Sequence, residues 1–283
     1  MSHNPHRSEK IAFSLLFLAN VLVILPVIFI IFIIIQKGIS AISWEFLTAM
    51  PKDGMRAGGI FPAIVGTVYL VIGTLAFALP LGVLGAIYLT EYARDNMLTR
   101  LIKLAIINLA GVPSVVYGLF GLGMFVMFCK FGSSLLAGSL TLAIMVLPII
   151  ITTTKEALDS VPQAFREVSL SLGASKWQTI RHSVLPHALP GILTGVILAV
   201  SRAAGETAPI LFTVAAFYLP KLPESIFDQA MALPYHLYVI STQVPNVSQD
   251  IRYATALVLL VMVLSMNAVA IVVRSQFRKM KKW

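Results

Sequence analysis

The sequence predicts an all-α integral membrane protein, a six-helix transmembrane bundle carrying a polar helix pair on one side. Three observations predict it. Of 283 residues, 58% are hydrophobic and 12% charged, whereas soluble domains run to about 45–50% apolar and about 25% charged; the mean hydropathy is +0.89. Six apolar runs approach the roughly 20 residues that a membrane-spanning helix requires. Between the fourth and fifth lies DSVPQAFREVSLSLGASKWQTIRHSVLP, residues 159–186, which is polar and rich in helix-capping signals.

A short tail, 1–10, precedes the first run, 11–35. A secretory signal has a core of about 7–15 apolar residues followed by a small-x-small cleavage site. This run is longer and lacks such a site, so it reads as a retained anchor. An excursion over 36–60 carries Trp44 and Phe46 and ends in a turn at Gly58 and Gly59. The next spans are 62–89, 104–128, 135–152, 189–213 and 254–273, and a basic tail, 274–283, follows. Ser139, Thr141 and Pro148 suit the fourth span to the bundle interior rather than to lipid. Pro80, Gly82, Gly111, Pro113 and Pro148 free backbone polar groups that neighbours or cavity water must satisfy. They fit a moving pathway or ordinary kinked packing. The second excursion, 214–251, contains four prolines and an apolar middle that suggests a short interfacial helix. The two excursions suit either a surface that receives a delivering protein or a cap on the bundle.

Lysine and arginine counts set the predicted orientation. With the amino terminus inside, fourteen fall on the inner side and six on the outer, with Arg202 inside a span. Both termini and the 159–186 loop are thereby expected in the cytoplasm. The net charge of +9 needs no nucleic acid, because much of it lies in RSQFRKMKKW, which suits an anionic inner leaflet. The single cysteine, Cys129, excludes an intramolecular disulfide and reads as a small packing residue.

Within the loop, Ser160 and Gln163 form the pattern of a capping box, with Pro162 tolerated in the first turn. Gly173 is placed to end that helix in the left-handed conformation, and Ser175 with Gln178 signals a second start. Pro186 and Pro190 are expected to close the unit. In the fifth span, SRAAGETAP sets Arg202 and Glu206 four residues apart, one turn along a helix face, with Gly205, Thr207 and Pro209 beside them. A charge at a helix centre costs about 2.5–3.5 kcal/mol on insertion scales and normally faces the bundle interior or water. The pair fits a structural ion pair or a pathway role, in which Arg202 would bind an oxyanion transiently and Glu206 would neutralise it when empty.

The chain has no Gly-x-x-x-x-Gly-Lys-Ser/Thr run to cradle nucleotide phosphates and no His-Glu-x-x-His or Cys/His zinc spacing. His182 and His187 read as solvated loop residues. No second acid, histidine or nucleophile accompanies Arg202 and Glu206, which disfavours a membrane-embedded enzyme. Any ATP chemistry must belong to another chain.

The loop resembles the cytoplasmic EAA loop of permeases of ATP-binding-cassette (ABC) importers: Glu-Ala-Ala, three residues, Gly, nine residues, Ile-x-Leu-Pro. Glu167, Val168 and Ser169 occupy the first three positions, Gly173 the glycine, Ala174 opens the spacer, and Leu185 with Pro186 closes the pattern. Val168, Ser169 and Ser183 depart from it. The order of FPAIVGTVYL, LPLGVLGAIYLTEYA, NLAGVPSVVYGLFGLGMF, the loop and SRAAGETAP is similar to PstA-type permeases of phosphate importers. That resemblance implies a type I ABC importer permease domain over 36–273 in a bacterial inner membrane. It further implies a related second permease, two ATP-binding subunits that use ATP and Mg, and an extracytoplasmic phosphate-binding protein, with no cofactor in this chain. It also implies a coupling role for Glu167, Gly173, Ala174, Leu185 and Pro186, with Glu167 anchoring the first loop helix to a neighbouring basic group. The pathway is expected to include Arg202, Glu206 and Thr207. Sulfate or molybdate import, or a non-transporting membrane scaffold, are the rival readings.

Overall fold

The computed structural model describes residues 5–279. Helix α1 (Pro5–Gly38) leads to short α2 (Trp44–Thr48) and a two-stranded hairpin, β1 (Pro51–Lys52) and β2 (Ala57–Gly58). Then come α3 (Phe61–Ile87), α4 (Met97–Ala110), α5 (Ser114–Gly121) and α6 (Leu135–Asp159). The loop helices are α7 (Gln163–Ser171) and α8 (Lys176–Thr179), followed by α9 (Leu185–Gly205), α10 (Ala208–Thr213), α11 (Leu233–Thr242) and α12 (Gln249–Lys279). Helix α1 takes in residues 5–10 of the first predicted tail and α12 residues 274–279 of the second; residues 1–4 and 280–283 lie outside the described residues.

The core is built where α3, α6 and α9 run together. Of the apolar window of α6, 67% is buried, as its small and hydroxyl residues predict. Close approach is made possible by missing side chains: a Cβ on Gly82 would lie 2.6 Å from the Ile150 side chain. Thr141 and Thr152 donate along their own helix, to the Ala137 and Pro148 carbonyls at 2.7 Å, whereas the buried hydroxyls of Thr74 on α3 and Thr154 on α6 have no partner among the described residues. Pro148 is itself buried within α6. In contrast, the apolar window of α1 is 0% buried. It touches the bundle mainly along α12, so its apolar surface is left to lipid or to another chain.

Two predicted spans are broken. The third is not one helix: α4 and α5 meet at 106°. Pro113 takes an extended ψ of 141° at the start of α5, and proline disfavours helix for the residue before it, so residues 111–113 become a corner. The fifth begins earlier and ends sooner than predicted. Helical structure is continuous from Lys176 to Gly205, then stops at Glu206, and α10 resumes separately.

The two excursions form one cap at the end of the bundle away from the loop. Tyr218 donates to the Pro51 carbonyl at 3.2 Å and Arg56 to the Pro245 carbonyl at 3.1 Å. Phe46, Met55, Tyr235 and Val244 enter the main core. The short helix predicted as interfacial is α11, and its first turn is buried instead. His236 there is 3% exposed, outside the spans, and its Nδ1 has no hydrogen-bond partner. Burial pushes its imidazole down to about 4. Between that value and the ordinary one of about 6.5, the unfolded chain binds a proton that the folded chain refuses. Stability is therefore full above about pH 6.5 and is lost as pH falls toward 4. The melting temperature of the detergent-solubilised protein should drop over that window, and His236→Leu should flatten the drop; superimposable pH profiles for the two would refute the assignment.

Candidate functional site

The loop folds as two helices joined by a fixed turn. Gly173 has φ +84°; its N–H donates to the Leu170 carbonyl at 2.9 Å and that of Ala174 to the Ser169 carbonyl at 3.2 Å. This is a Schellman turn with glycine at its left-handed position. Ser175 and Gln178 form the reciprocal capping box, with the Ser175 N–H donating to Gln178 Oε1 at 2.7 Å. The Ser169 and Thr179 hydroxyls, 2.9 Å apart, tie α7 to α8.

The first predicted box does not form. Ser160 instead ends α6, its hydroxyl donating to the Ala157 carbonyl at 2.8 Å. Pro162, with ψ 139°, stands at the start of α7 and forces Val161 out of helical conformation. Nor do Pro186 and Pro190 close the unit. The chain passes through a π-helical turn, Ile180–Val184, into α9, whose first turn tolerates Pro186 for want of any N–H to satisfy. His187 is not solvated as predicted: its ring lies 4.5 Å from that of Phe165 and its Nδ1 2.7 Å from the Ser183 carbonyl. His182 is exposed.

The predicted loop residues divide between two sides. Glu167 and Gly173 are exposed beside an uncovered apolar surface of Val168, Leu170, Leu172 and Trp177, of which Leu172 is 83% exposed. Ala174 lines a groove of about 440 Å³ with Phe165, Val168 and Ser183. Leu185 faces inward onto the small core of Val161, Ile180 and Val184, and Pro186 is half-buried in the same turn. Glu167 makes no ion pair among the described residues. Its neighbour Arg166 does: Nη2 lies 2.7 Å from Glu91 Oε1. The sequence carried no local signal for this pair, whose members are 75 residues apart.

Arg202 and Glu206, whose spacing allows them to pair, do meet, but not on one helix face. Glu206 is extended, with ψ 136°, just beyond the end of α9. Arg202 Nε donates to its Oε1 at 3.3 Å, with the two side chains 31% and 18% exposed. Thr207 opens α10 without a side-chain cap, and its carbonyl accepts from Leu211 N at 3.1 Å. The break sits beside the other one, because α5 packs on α10: a Cβ on Gly118 would lie 3.0 Å from the Ala208 carbonyl oxygen. Tyr117 closes the α4–α5 corner, donating to the Leu109 carbonyl at 2.6 Å. Two interrupted helices thus converge near a guanidinium; irregular backbone at membrane depth is tolerated where it is buried in protein or lines a water-filled cavity. Behind it, the Ser201 hydroxyl lies 2.8 Å from Asn267 Oδ1 and ties α9 to α12.

Residues 78–282 match the family described as binding-protein-dependent transport system inner membrane component. A probable ABC transporter permease, YqgI of Bacillus subtilis, is 36% identical over 84% of this chain and 85% of its own length. The phosphate transport system permease PstA of Pasteurella multocida is 37% identical over 75% of each chain, and PstA 1 of Mycobacterium tuberculosis 32% over 94% and 88%. Among solved structures, a chain of a bacterial ABC transporter involved in alginate import superposes with TM-score 0.71 over 97% of this chain and 98% of that one, at 15% identity. A chain of the MetNI methionine transporter gives 0.59 over 77% and 94%, at 17% identity. The fold is that of type I ABC importer permeases, and the chain belongs to the binding-protein-dependent transport system inner membrane component family, as a multi-pass permease subunit and not an enzyme.

Proposed function

We propose that this chain forms half of the translocation pathway of an ATP-driven inorganic phosphate importer, coupled through residues 159–186 to a separate ATPase. The observation that carries the reading is Arg202, a partly accessible guanidinium in the last turn of a candidate span, whose ion pair among the described residues is the 3.3 Å contact with Glu206, where one helix stops and another begins. A planar cation in that setting suits transient bidentate contact with an oxyanion, and Glu206 offers a replacement partner once the anion leaves. The similarity to relatives named as phosphate transport permeases selects phosphate among oxyanions.

The uncovered apolar surface around Glu167, Gly173 and Ala174 is the proposed dock. The partners are a related second permease, two ATP-binding subunits that bring ATP and Mg, and an extracytoplasmic phosphate-binding protein received by the cap. Closure of the ATPase dimer shifts the pathway only if it binds one arrangement of the loop better than the other. Affinity purification in mild detergent should retain an ATP-binding subunit. In proteoliposomes, hydrolysis should rise with phosphate-loaded binding protein and not with sulfate or molybdate. Stimulation by another anion would reassign the substrate, and an assembled complex without flux would favour a scaffold.

The lysine and arginine asymmetry supports a cytoplasmic position for the loop. Cys129, the chain's single cysteine, is partly accessible and lies at the end away from the loop, where the neighbouring Phe131 ring sits 6.2 Å from that of Phe227 in the cap. A membrane-impermeant maleimide should label it in intact spheroplasts; labelling confined to inverted vesicles would reverse the orientation.

A further inference from the structure

We propose that Arg166 and Glu91 form a positioning strut that carries movement of the loop helices into α3, a helix with no chain connection to that loop. The inference rests on the importer reading above and names residues outside the proposed dock. The loop is joined by the chain itself to α6 and α9. Its grip on α3 is made by side chains. Arg166 places Nε and Nη2 at 3.0 and 2.7 Å from the same Glu91 oxygen, Nη1 at 2.9 Å from the Val161 carbonyl and Nη2 at 3.0 Å from the Leu158 carbonyl. One guanidinium therefore fixes α7, the end of α6 and the end of α3 together.

The pair is secluded, its side chains 12% and 9% exposed, beside a polar cleft of about 460 Å³. A second contact repeats the connection from the other loop helix, where Lys176 Nζ lies 5.0 Å from the centre of the Tyr92 ring. Both contacts land on Tyr88–Tyr92, which is π-helical. Such turns are rare and recur at functional sites. Beyond it, α3 is in extensive contact with α6 through the core. Buried ion pairs contribute little net stability compared with apolar packing, yet they fix distance and direction. A link of that kind suits the transmission of a displacement better than it suits simple adhesion.

The test uses the complete complex in proteoliposomes with phosphate-loaded binding protein, carrying E91Q, R166Q or both. Two quantities are read: ATPase subunit retained on purification, and phosphate transported per ATP hydrolysed. Each single variant should keep the ATPase subunit while phosphate per ATP falls about tenfold. The double variant should be no worse than the poorer single one, as for residues acting through one contact, and E91D should recover part of the loss. If R166Q fails to accumulate because it strands a buried carboxylate, E91Q decides alone, since the guanidinium it leaves keeps the Val161 and Leu158 carbonyls as acceptors. Wild-type phosphate per ATP in the single variants overturns the strut. So does a loss of ATPase subunit that accounts for all the lost transport. A wild-type complex that shows no phosphate-stimulated hydrolysis fails the importer reading instead, a result distinguishable from either.

Discussion

Replacing Gly173 with valine should leave the protein inserted in the membrane and strip about nine-tenths of the ATPase subunit from it, while asparagine at the same position should retain most of it. The reason is backbone conformation rather than space. A Cβ built on Gly173 meets nothing within 4 Å, so bulk is not the obstacle, but φ is +84°. An L-residue in the left-handed region costs roughly 1–2 kcal/mol, more when β-branched, whereas asparagine visits it readily. That cost can be relieved by opening the Schellman turn, releasing the Gly173 and Ala174 N–H groups from Leu170 and Ser169. The axis of α7 would then swing relative to α8, and the apolar surface of Val168, Leu172 and Trp177 would no longer be presented as one face. A loss of about 1.4 kcal/mol is a tenfold loss of affinity. Insertion should be spared because the α3, α6 and α9 core does not include the turn. Co-purification of the ATPase subunit with the two variants measures the effect. Equal retention with valine and asparagine would show that the turn's conformation does not matter to docking.

The contrast between Ser160 and Ser175 shows how far the sequence carries. Both precede a glutamine by three residues, and only Ser175 forms the box. The difference is Pro162, which disfavours helix at Val161 and leaves Ser160 as the C-cap of α6, a competition settled by the preceding helix rather than by the motif. Gly173 was legible because a left-handed turn is a local demand that few residues meet. The spans were legible as apolar length, and the burial of α6 as small and hydroxyl residues. The corner at Gly111 and Pro113 was legible as a weak point, but its 106° angle depends on α5 finding α10, a contact between segments about ninety residues apart. Arg166 was hidden for a similar reason. Its partner Glu91 closes a different span, and beside Glu167 it reads as one more loop charge.

Arg202→Ala should abolish phosphate uptake at normal expression, and Arg202→Ala/Glu206→Ala should not restore it. The two results together separate a pathway cation from a structural pair. If the pair served only to hold α9 against its neighbours, the single substitution would be harmful chiefly by stranding Glu206, whose side chain is 18% exposed. An uncompensated carboxylate at membrane depth costs several kcal/mol, and removing it as well would return most of the activity. If Arg202 instead receives the anion, both variants lack the group that does so. Uptake should then remain at least about a hundredfold down in each, equivalent to about 2.7 kcal/mol of lost stabilisation of the passing anion. Arg202→Lys retains charge but not the planar fork, and should fall between. Glu206→Gln leaves the cation without its exchange partner; phosphate should then bind more tightly and leave more slowly, lowering turnover while also lowering the phosphate concentration needed for half-maximal uptake. The measurement is radiolabelled phosphate uptake normalised to membrane-inserted protein. Recovery in the double variant would assign Arg202 and Glu206 to helix packing and move the anion's path elsewhere in the bundle.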